Sequence, residues 1–127
     1  MTETILETER LMLVMWDRGD ADLIQSLHSS MATTQFMADR APWSIEKCQL
    51  RLAGWFAEHQ TFGTTKYKLI ERATGRFIGR AGISPDAVST DYELGYALCE
   101  DAWNKGFATE IARSLVSWFL HVRYRRG

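Results

Sequence analysis

The feature that most constrains the fold is a change in the spacing of apolar residues along the second half of the chain. Three short apolar runs, "YKLIER", "RFIGRAGIS" and "DYELGYALC", are each bounded by turn-forming or charged residues. They predict three successive strands, and the first two, joined by "ATG", predict a β-hairpin. Further on, the apolar spacing becomes helical for about 24 Å, through Phe107, Ile111, Leu115, Trp118, Phe119 and Val122. This combination predicts a mixed α/β or α+β domain, with an antiparallel core covered by helices.

The first half of the chain supplies weaker patterns of the same kinds. The apolar run Arg10–Trp16 predicts a buried strand, and Asp20 is placed to cap a short helix after it. Ser44 predicts the start of a longer helix with one apolar face, formed by Ile45, Cys48, Leu52, Trp55 and Phe56. Residues 28–43 are polar and weakly patterned, which is typical of an irregular segment that lines a binding site.

Length and charge exclude several classes of protein. The chain has 127 residues, so residues 1–127 are predicted to form a single domain. A net charge of −1 gives no general attraction to nucleic acids or anionic membranes. The chain starts without a basic leader and has no apolar run approaching ~18 residues, which predicts neither a signal peptide nor a membrane span. A cytoplasmic location is predicted by elimination.

Metal and thiol chemistry also receive no support from the pattern. Cys48 and Cys99 are single and far apart, which favours two reduced thiols. The three histidines, His28, His59 and His121, have neither metal-ligand spacing nor a nucleophile as neighbour. We therefore predict no metal site and treat the histidines as structural or surface residues.

The stretch "EDAWNKGFATEIARS" joins the third strand of this run to the long helix. The first N–H groups of a helix lack partners and carry partial positive charge, so this position suits an anion. Gly106 allows close approach to the backbone, and Asn104 tolerates left-handed conformations that point successive N–H groups at one place. Lys105 adds charge and Thr109 a hydroxyl. The same residues also suit an ordinary turn with tight helix packing, so the local pattern leaves both interpretations open.

A resemblance to a known family bears on this choice. "WNKGFATEIARSLVSWF" resembles the acyl-CoA-binding motif of the GNAT acetyltransferase superfamily, Gln/Arg-x-x-Gly-x-Gly/Ala. Gly106 and Ala108 match the small residues, whereas Trp103 stands where Gln or Arg is usual. "LETERLMLVMW", "FIGRAGIS" and "YELGYALCEDAW" resemble further strands of the ribosomal-protein N-terminal acetyltransferase branch, in the right order.

The resemblance implies a twisted mixed sheet that binds acetyl-CoA, the acetyl donor, and transfers the acetyl group to a primary amine. It implies that backbone groups of Ala97, Leu98 and Cys99 bind the pantetheine arm as an added strand would. Backbone N–H groups would hold the pyrophosphate along the loop and helix start formed by Asn104, Lys105, Gly106, Phe107, Ala108 and Thr109.

The implied reaction needs a neutral amine and donors for an oxyanion. An amide near Leu98 is the candidate donor. Glu93 is the candidate general base, acting through water, with a plain strand carboxylate as the alternative. Phe36 and Trp43, in the segment from Met31 to Trp43, are candidate substrate contacts, although either could instead be core.

One departure from the family pattern has consequences for activity and assembly. The family continues past this helix with a strand, a helix and a further strand, and the chain stops at "HVRYRRG". We therefore expect a C-terminally truncated GNAT fold whose sheet edge is unpaired, and expect a homodimer or a segment-swapped oligomer. A non-catalytic acyl-CoA-binding or protein-interaction module is the alternative function.

Overall fold

A computed structural model describes residues 3–29, 41–86 and 88–125. The elements are β1 (Thr4–Glu7), β2 (Leu11–Val14), α1 (Ala21–Ser29), α2 (Ile45–Phe62), β3 (Lys66–Glu71), β4 (Arg76–Pro85), β5 (Tyr92–Leu98) and α3 (Phe107–Arg125). A short 3₁₀ turn, Glu100–Ala102, lies between β5 and α3. The order of elements predicted from Arg10 onward is confirmed, and the 3₁₀ turn is an addition to it.

The strands form one five-stranded sheet in the order β1-β2-β3-β4-β5. All four pairings are antiparallel, so the predicted antiparallel core is confirmed, and no parallel pair of the mixed sheet lies among the described strands. Within the described residues, β5 pairs only with β4 and forms one edge of the sheet. The chain leaves this edge directly into the junction that leads to α3.

Strand β1 is an addition to the predicted elements. It forms a hairpin with β2, with a register irregularity between Thr4 and Leu6. Such an irregularity breaks the two-residue alternation by which a strand is recognised in a sequence. The adjacent apolar pair Ile5 and Leu6 consequently gave no strand pattern.

Helix α2 follows its predicted capping chemistry. Ser44 is the N-cap, and its side chain accepts a hydrogen bond from the Lys47 N–H at 3.1 Å. The helix ends at Gly63, whose left-handed φ of 74° lets its N–H bond the His59 carbonyl.

The helices cover the two faces of the sheet. Lys68 on β3 pairs with Asp20 at the start of α1, whereas the neighbouring Tyr67 packs edge-on against Trp118 of α3. Because successive strand residues point to opposite faces, α1 and α3 lie on opposite sides. The buried core includes Leu11, Leu13, Trp16, Ile24, Leu52, Trp55, Tyr67, Leu69, Ile78, Ala81, Phe107, Ile111 and Leu115. The predicted apolar stripe of α3 therefore faces the sheet.

None of the described helices is long and apolar enough to cross a membrane.

Candidate active site

The junction between β5 and α3 has the backbone conformation that the sequence predicted. Asn104 has a φ of 62° and is the one non-glycine residue with positive φ among those described, and Gly106 has a φ of 80°. Left-handed residues interleaved with right-handed ones turn consecutive N–H groups toward one side, which makes a concave anion site. Helix α3 begins at Phe107, so its first free N–H groups open onto the same loop.

A cavity of about 670 Å³ runs from this junction along β5. Seven of the nine residues predicted to bind the cofactor line it: Ala97, Leu98, Asn104, Gly106, Phe107, Ala108 and Thr109. Among the described strands β5 has no neighbour on its outer side, so alternate N–H and C=O groups of β5 lack a strand partner there. The cavity thus combines a helix start, a left-handed loop and a free strand edge.

Two residues predicted to bind the cofactor are placed differently. The Cys99 N–H donates to the Ile78 carbonyl at 2.9 Å, and the Cys99 carbonyl accepts from the Ala102 N–H. The Cys99 side chain faces a second depression beside Arg76 and Asp101. Because both of its backbone groups are already bonded within the chain, Cys99 does not belong to the cavity wall. Lys105 lies in the loop but does not line the cavity.

Trp103 stands at the position where the resembled motif has Gln or Arg, and its indole holds the loop to the end of β5. Its indole Nε1 donates to the Leu98 carbonyl at 2.9 Å. This bond fixes the loop to the end of β5, so the indole takes on a positioning role at this site.

Arg10, which sequence reasoning did not single out, holds the loop from outside. Its Nη1 donates to the Lys105 carbonyl at 2.8 Å, and its guanidinium lies 4.5 Å from the centre of the Phe107 ring. Its Nε also pairs with Glu110 at 2.7 Å. Arg10 thereby connects the β1–β2 turn to both the loop and the first turn of α3.

Glu110 completes this connection. It accepts hydrogen bonds from the Thr8 hydroxyl and from the Arg10 N–H, the latter at 2.9 Å. Burial raises the pKa of Glu110, but the bonds from Thr8 and Arg10 outweigh it and lower the pKa overall. The carboxylate is therefore held ionised in the first helical turn, where negative charge is favoured.

Glu93, the predicted base, lies on the cavity wall at the other end of β5. Its side chain is exposed, and its backbone carbonyl accepts from the Lys66 ammonium at 3.4 Å. Lys66 and Arg80 line the same part of the cavity, and neither was predicted. These two cations come from β3 and β4, and no sequence motif marks them.

Of the two predicted substrate contacts, Trp43 lies among the described residues. Trp43 is only 7% exposed, stacks on His28 with ring centres 3.7 Å apart, and does not line this cavity. It forms part of the core, as its alternative interpretation stated. Phe36 lies outside the described residues. His28 is fully buried and its Nε2 accepts from the Arg80 Nε at 3.1 Å, which fits the structural role predicted for it.

Among the described residues, no group of three His, Cys, Asp or Glu side chains is placed to hold a metal ion.

Comparison with known proteins identifies the class to which this fold and cavity belong. Residues 10–126 match the family model of the acetyltransferase (GNAT) domain. The chain belongs to the GNAT acetyltransferase family, as its sequence motifs indicated.

Individual relatives agree with this assignment. The uncharacterized N-acetyltransferase YoaA of Bacillus subtilis is 29% identical over 115 residues, which make up 90% of this chain. The chain spans 65% of the length of YoaA, which is less than two thirds. YkkB, from the same organism, is 27% identical over 126 residues, covering 95% of this chain and 71% of YkkB.

Solved structures show the same fold. An acetyltransferase from Agrobacterium tumefaciens has a TM-score of 0.80 at 26% identity, covering 95% of this chain and 68% of that one. The ribosomal L7/L12 α-N-protein acetyltransferase RimL, solved in complex with coenzyme A, has a TM-score of 0.72 at 18% identity. That match covers 98% of this chain and 70% of the RimL chain, and it shows likeness of fold alone.

Proposed function

We propose that this chain is an acetyl-CoA-dependent N-acetyltransferase that transfers an acetyl group to a primary amine. The observation that carries this proposal is the single cavity that joins the loop at Gly106 to Glu93 along the edge of β5. A long donor with a phosphate at one end and a thioester at the other needs a cleft of that kind. RimL in complex with coenzyme A adds support, since it shares the fold.

Different parts of the cavity would bind different parts of acetyl-CoA. Backbone N–H groups from Asn104 to Thr109 would hold the pyrophosphate, and the loop is kept in shape by Arg10 and Trp103. The free edge of β5 near Ala97 and Leu98 would bind the pantetheine arm. Acetyl-CoA supplies an activated thioester, whose acetyl end would then lie toward Gly95 and Glu93.

Glu93 is placed to accept the proton of the attacking amine, directly or through a water. Its exposed carboxylate is open to both the cavity and solvent, which suits proton exchange with bulk water. An amine must lose a proton before it can attack, and a positioned base contributes roughly 10²–10⁴-fold to such a step.

The experiment follows the release of coenzyme A thiol from acetyl-CoA in the presence of a panel of primary amines. Amine-dependent release is expected, and Glu93→Gln is expected to lower kcat by about 100-fold while leaving the Kd for acetyl-CoA unchanged. The matched control is Asp91→Asn, an exposed carboxylate just before β5 that does not line the cavity. It is expected to keep full activity.

Two other outcomes separate the alternatives. Binding of acetyl-CoA without release for any amine would identify the non-catalytic acyl-CoA-binding module instead. Equal activity of the Glu93→Gln variant and the unchanged chain would remove Glu93 from the mechanism and leave the family assignment untouched.

We also propose that the chain self-associates, as a homodimer or by exchange of segments. The outer side of β5 lacks a strand partner within the described residues, and free edges pair readily with a second chain, which would compete with the pantetheine arm for this edge. Leu94, Tyr96, Val116 and Leu120 add exposed apolar surface on β5 and α3. Light scattering at micromolar concentration is expected to give twice the chain mass or more, and a clean monomer would contradict this proposal. A cytoplasmic location likewise stays a prediction.

A further inference from the structure

Lys66 reaches the cavity by an unusual route across the sheet. In the strand register it stands beside Gly82, and Gly82 stands beside Gly95. Its side chain lies over these glycines: a Cβ on Gly95 would be 2.8 Å from the Lys66 Cε. The two glycines therefore leave a channel through which a lysine of β3 reaches the cavity beside β5.

The Lys66 ammonium is buried and forms no ion pair with the residues that the structure describes. The residue is only 8% exposed, and its Nζ donates to the Ser84 hydroxyl at 2.7 Å and more weakly to the Glu93 carbonyl. Among the described residues no carboxylate lies within ion-pair distance of it. Burial and the charge of Arg80 lower the pKa of Lys66, although Glu93 and Glu58 oppose them.

Lys68, two residues further along β3, provides the contrast. It points to the same face and is 13% exposed, but it pairs with Asp20 at 2.9 Å and with Asp17 at 3.6 Å. Among the described residues, the same strand therefore supplies a partly buried lysine with carboxylate partners, Lys68, and a buried one without, Lys66. Burying a charge without a close counter-charge is costly, and among the described residues no carboxylate pairs with Lys66, which favours an anionic group of a ligand as its partner.

Arg80 is the second cation of this pair. It stands two residues before Gly82 on β4, and hence on the same face as Lys66. Its Nε donates to His28, and its guanidinium lies 5.6 Å from the ring centre of Trp55. Burial and the nearby Arg51 lower the pKa of Arg80 to about 10.

The orientation of Arg80 leaves donors for a ligand. The described residues give it no carboxylate partner, and its terminal nitrogens make no hydrogen bond with them. A guanidinium fixed through its Nε keeps a fork of donors that matches a carboxylate or a phosphate.

The positions of Lys66 and Arg80 indicate whether an anionic group bound there would come from acetyl-CoA or from the acceptor. The predicted pyrophosphate site lies at Gly106, beyond the C-terminal end of β5, whereas Lys66 reaches the strand at Gly95. Arg80 stands beside Ala97, between the two. The charges of coenzyme A lie on its phosphates, so an anion bound at Lys66 would come from the acceptor.

We propose that the acceptor is a small amine that also carries a carboxylate, and that Lys66 and Arg80 bind this carboxylate. The inference rests on the proposed function and names its substrate class. The two positive charges disfavour the ammonium form of an amine bound beside them, which keeps the nucleophile neutral. The same two charges would repel the protonated form of an amine that has no carboxylate. The carboxylate of the proposed acceptor offsets that repulsion.

The test compares amino acids with the amines left by their decarboxylation: serine with ethanolamine, phenylalanine with phenethylamine, and histidine with histamine. Binding to the chain is measured by calorimetry with and without saturating coenzyme A, so the readout does not depend on turnover. Each amino acid is expected to bind at least about tenfold more tightly than its decarboxylated partner. Phosphoethanolamine tests phosphate as the anion, and a preference for it over every amino acid would overturn the carboxylate assignment.

Matched variants assign the effect to the cations. Lys66→Met is expected to abolish the preference while keeping the unfolding midpoint, because it removes a buried charge that has no carboxylate partner among the described residues. Lys68→Met, at a partly buried lysine of the same strand that does not line the cavity, is expected to keep the preference. Arg80→Gln provides a second test of the site should Lys66→Met fail to fold.

The outcomes separate this inference from the proposed function. Equal binding within every pair, tighter binding of the plain amines, or binding of none of these compounds would each overturn the inference. Failure of acetyl-CoA to bind would instead count against the proposed function, and it is measured independently.

Discussion

Replacing Gly106 with valine is expected to weaken acetyl-CoA binding by at least about 100-fold, equivalent to about 2.7 kcal/mol. Gly106 has a φ of 80°, a conformation that is strongly unfavourable for a β-branched residue. A Cβ at this position would also lie 3.3 Å from the Arg10 Nη2. The loop must therefore refold, which moves the N–H groups that are proposed to hold the pyrophosphate. Titration calorimetry with acetyl-CoA measures the effect.

Gly75→Val is the matched control for this substitution. Gly75 has a φ of 74° in the turn between β3 and β4, so valine there meets a similar backbone cost, but Gly75 does not line the cavity. It is expected to lose stability comparably and to keep its affinity for acetyl-CoA. Equal loss of affinity in both variants would mean that general destabilisation, and not the loop, accounts for the Gly106 result.

Gly82→Ala is expected to destabilise the fold by about 3 kcal/mol, at the upper end of the usual cost of overpacking. A Cβ at Gly82 would lie 2.0 Å from the Thr65 carbonyl oxygen and 2.7 Å from the Lys66 Cα. Both are backbone atoms, at the start of β3 and just before it, so they can yield only if this end of β3 moves away from β4. Because Lys66 reaches the cavity across this point, the lysine should also be displaced. Urea unfolding gives the free energy.

Replacing Gly54 with alanine is expected to raise the free energy of unfolding, whereas Gly82→Ala is expected to lower it. This glycine lies in the middle of α2, and a Cβ there would meet no other atom within 4 Å. Alanine is a better helix former than glycine by roughly 1 kcal/mol, so Gly54→Ala should stabilise the chain by about that amount. Similar free energies for the Gly54 and Gly82 variants would contradict the close approach of β3 and β4.

The features that the sequence predicted correctly are those set by residues close to one another in the chain. Ser44 and Phe107 mark helix starts because caps and apolar spacing act within a few residues of the chain. Asn104 and Gly106 indicated the left-handed loop, since few residue types adopt that conformation. The strands β3 to β5 followed from alternation and turn residues. These signals indicated the loop and helix start that form one end of the cavity.

The rest of the site depends on residues that are distant in sequence. Arg10 bonds to Lys105, which lies 95 residues further along the chain, and no pattern near Arg10 predicts that contact. Lys66 and Arg80 looked like ordinary strand cations, and only the register with Gly82 and Gly95 shows where Lys66 reaches. The predicted third strand included Cys99, whereas β5 ends at Leu98, because the alternation continues for one residue beyond the strand.

Titration of acetyl-CoA into the unchanged chain tests the central claim, that the cavity along β5 is an acyl-CoA site. We expect one site per chain, competition by free coenzyme A, and stabilisation of about 2.7 kcal/mol at 100 times the Kd. The absence of both binding heat and thermal stabilisation at millimolar acetyl-CoA would contradict it.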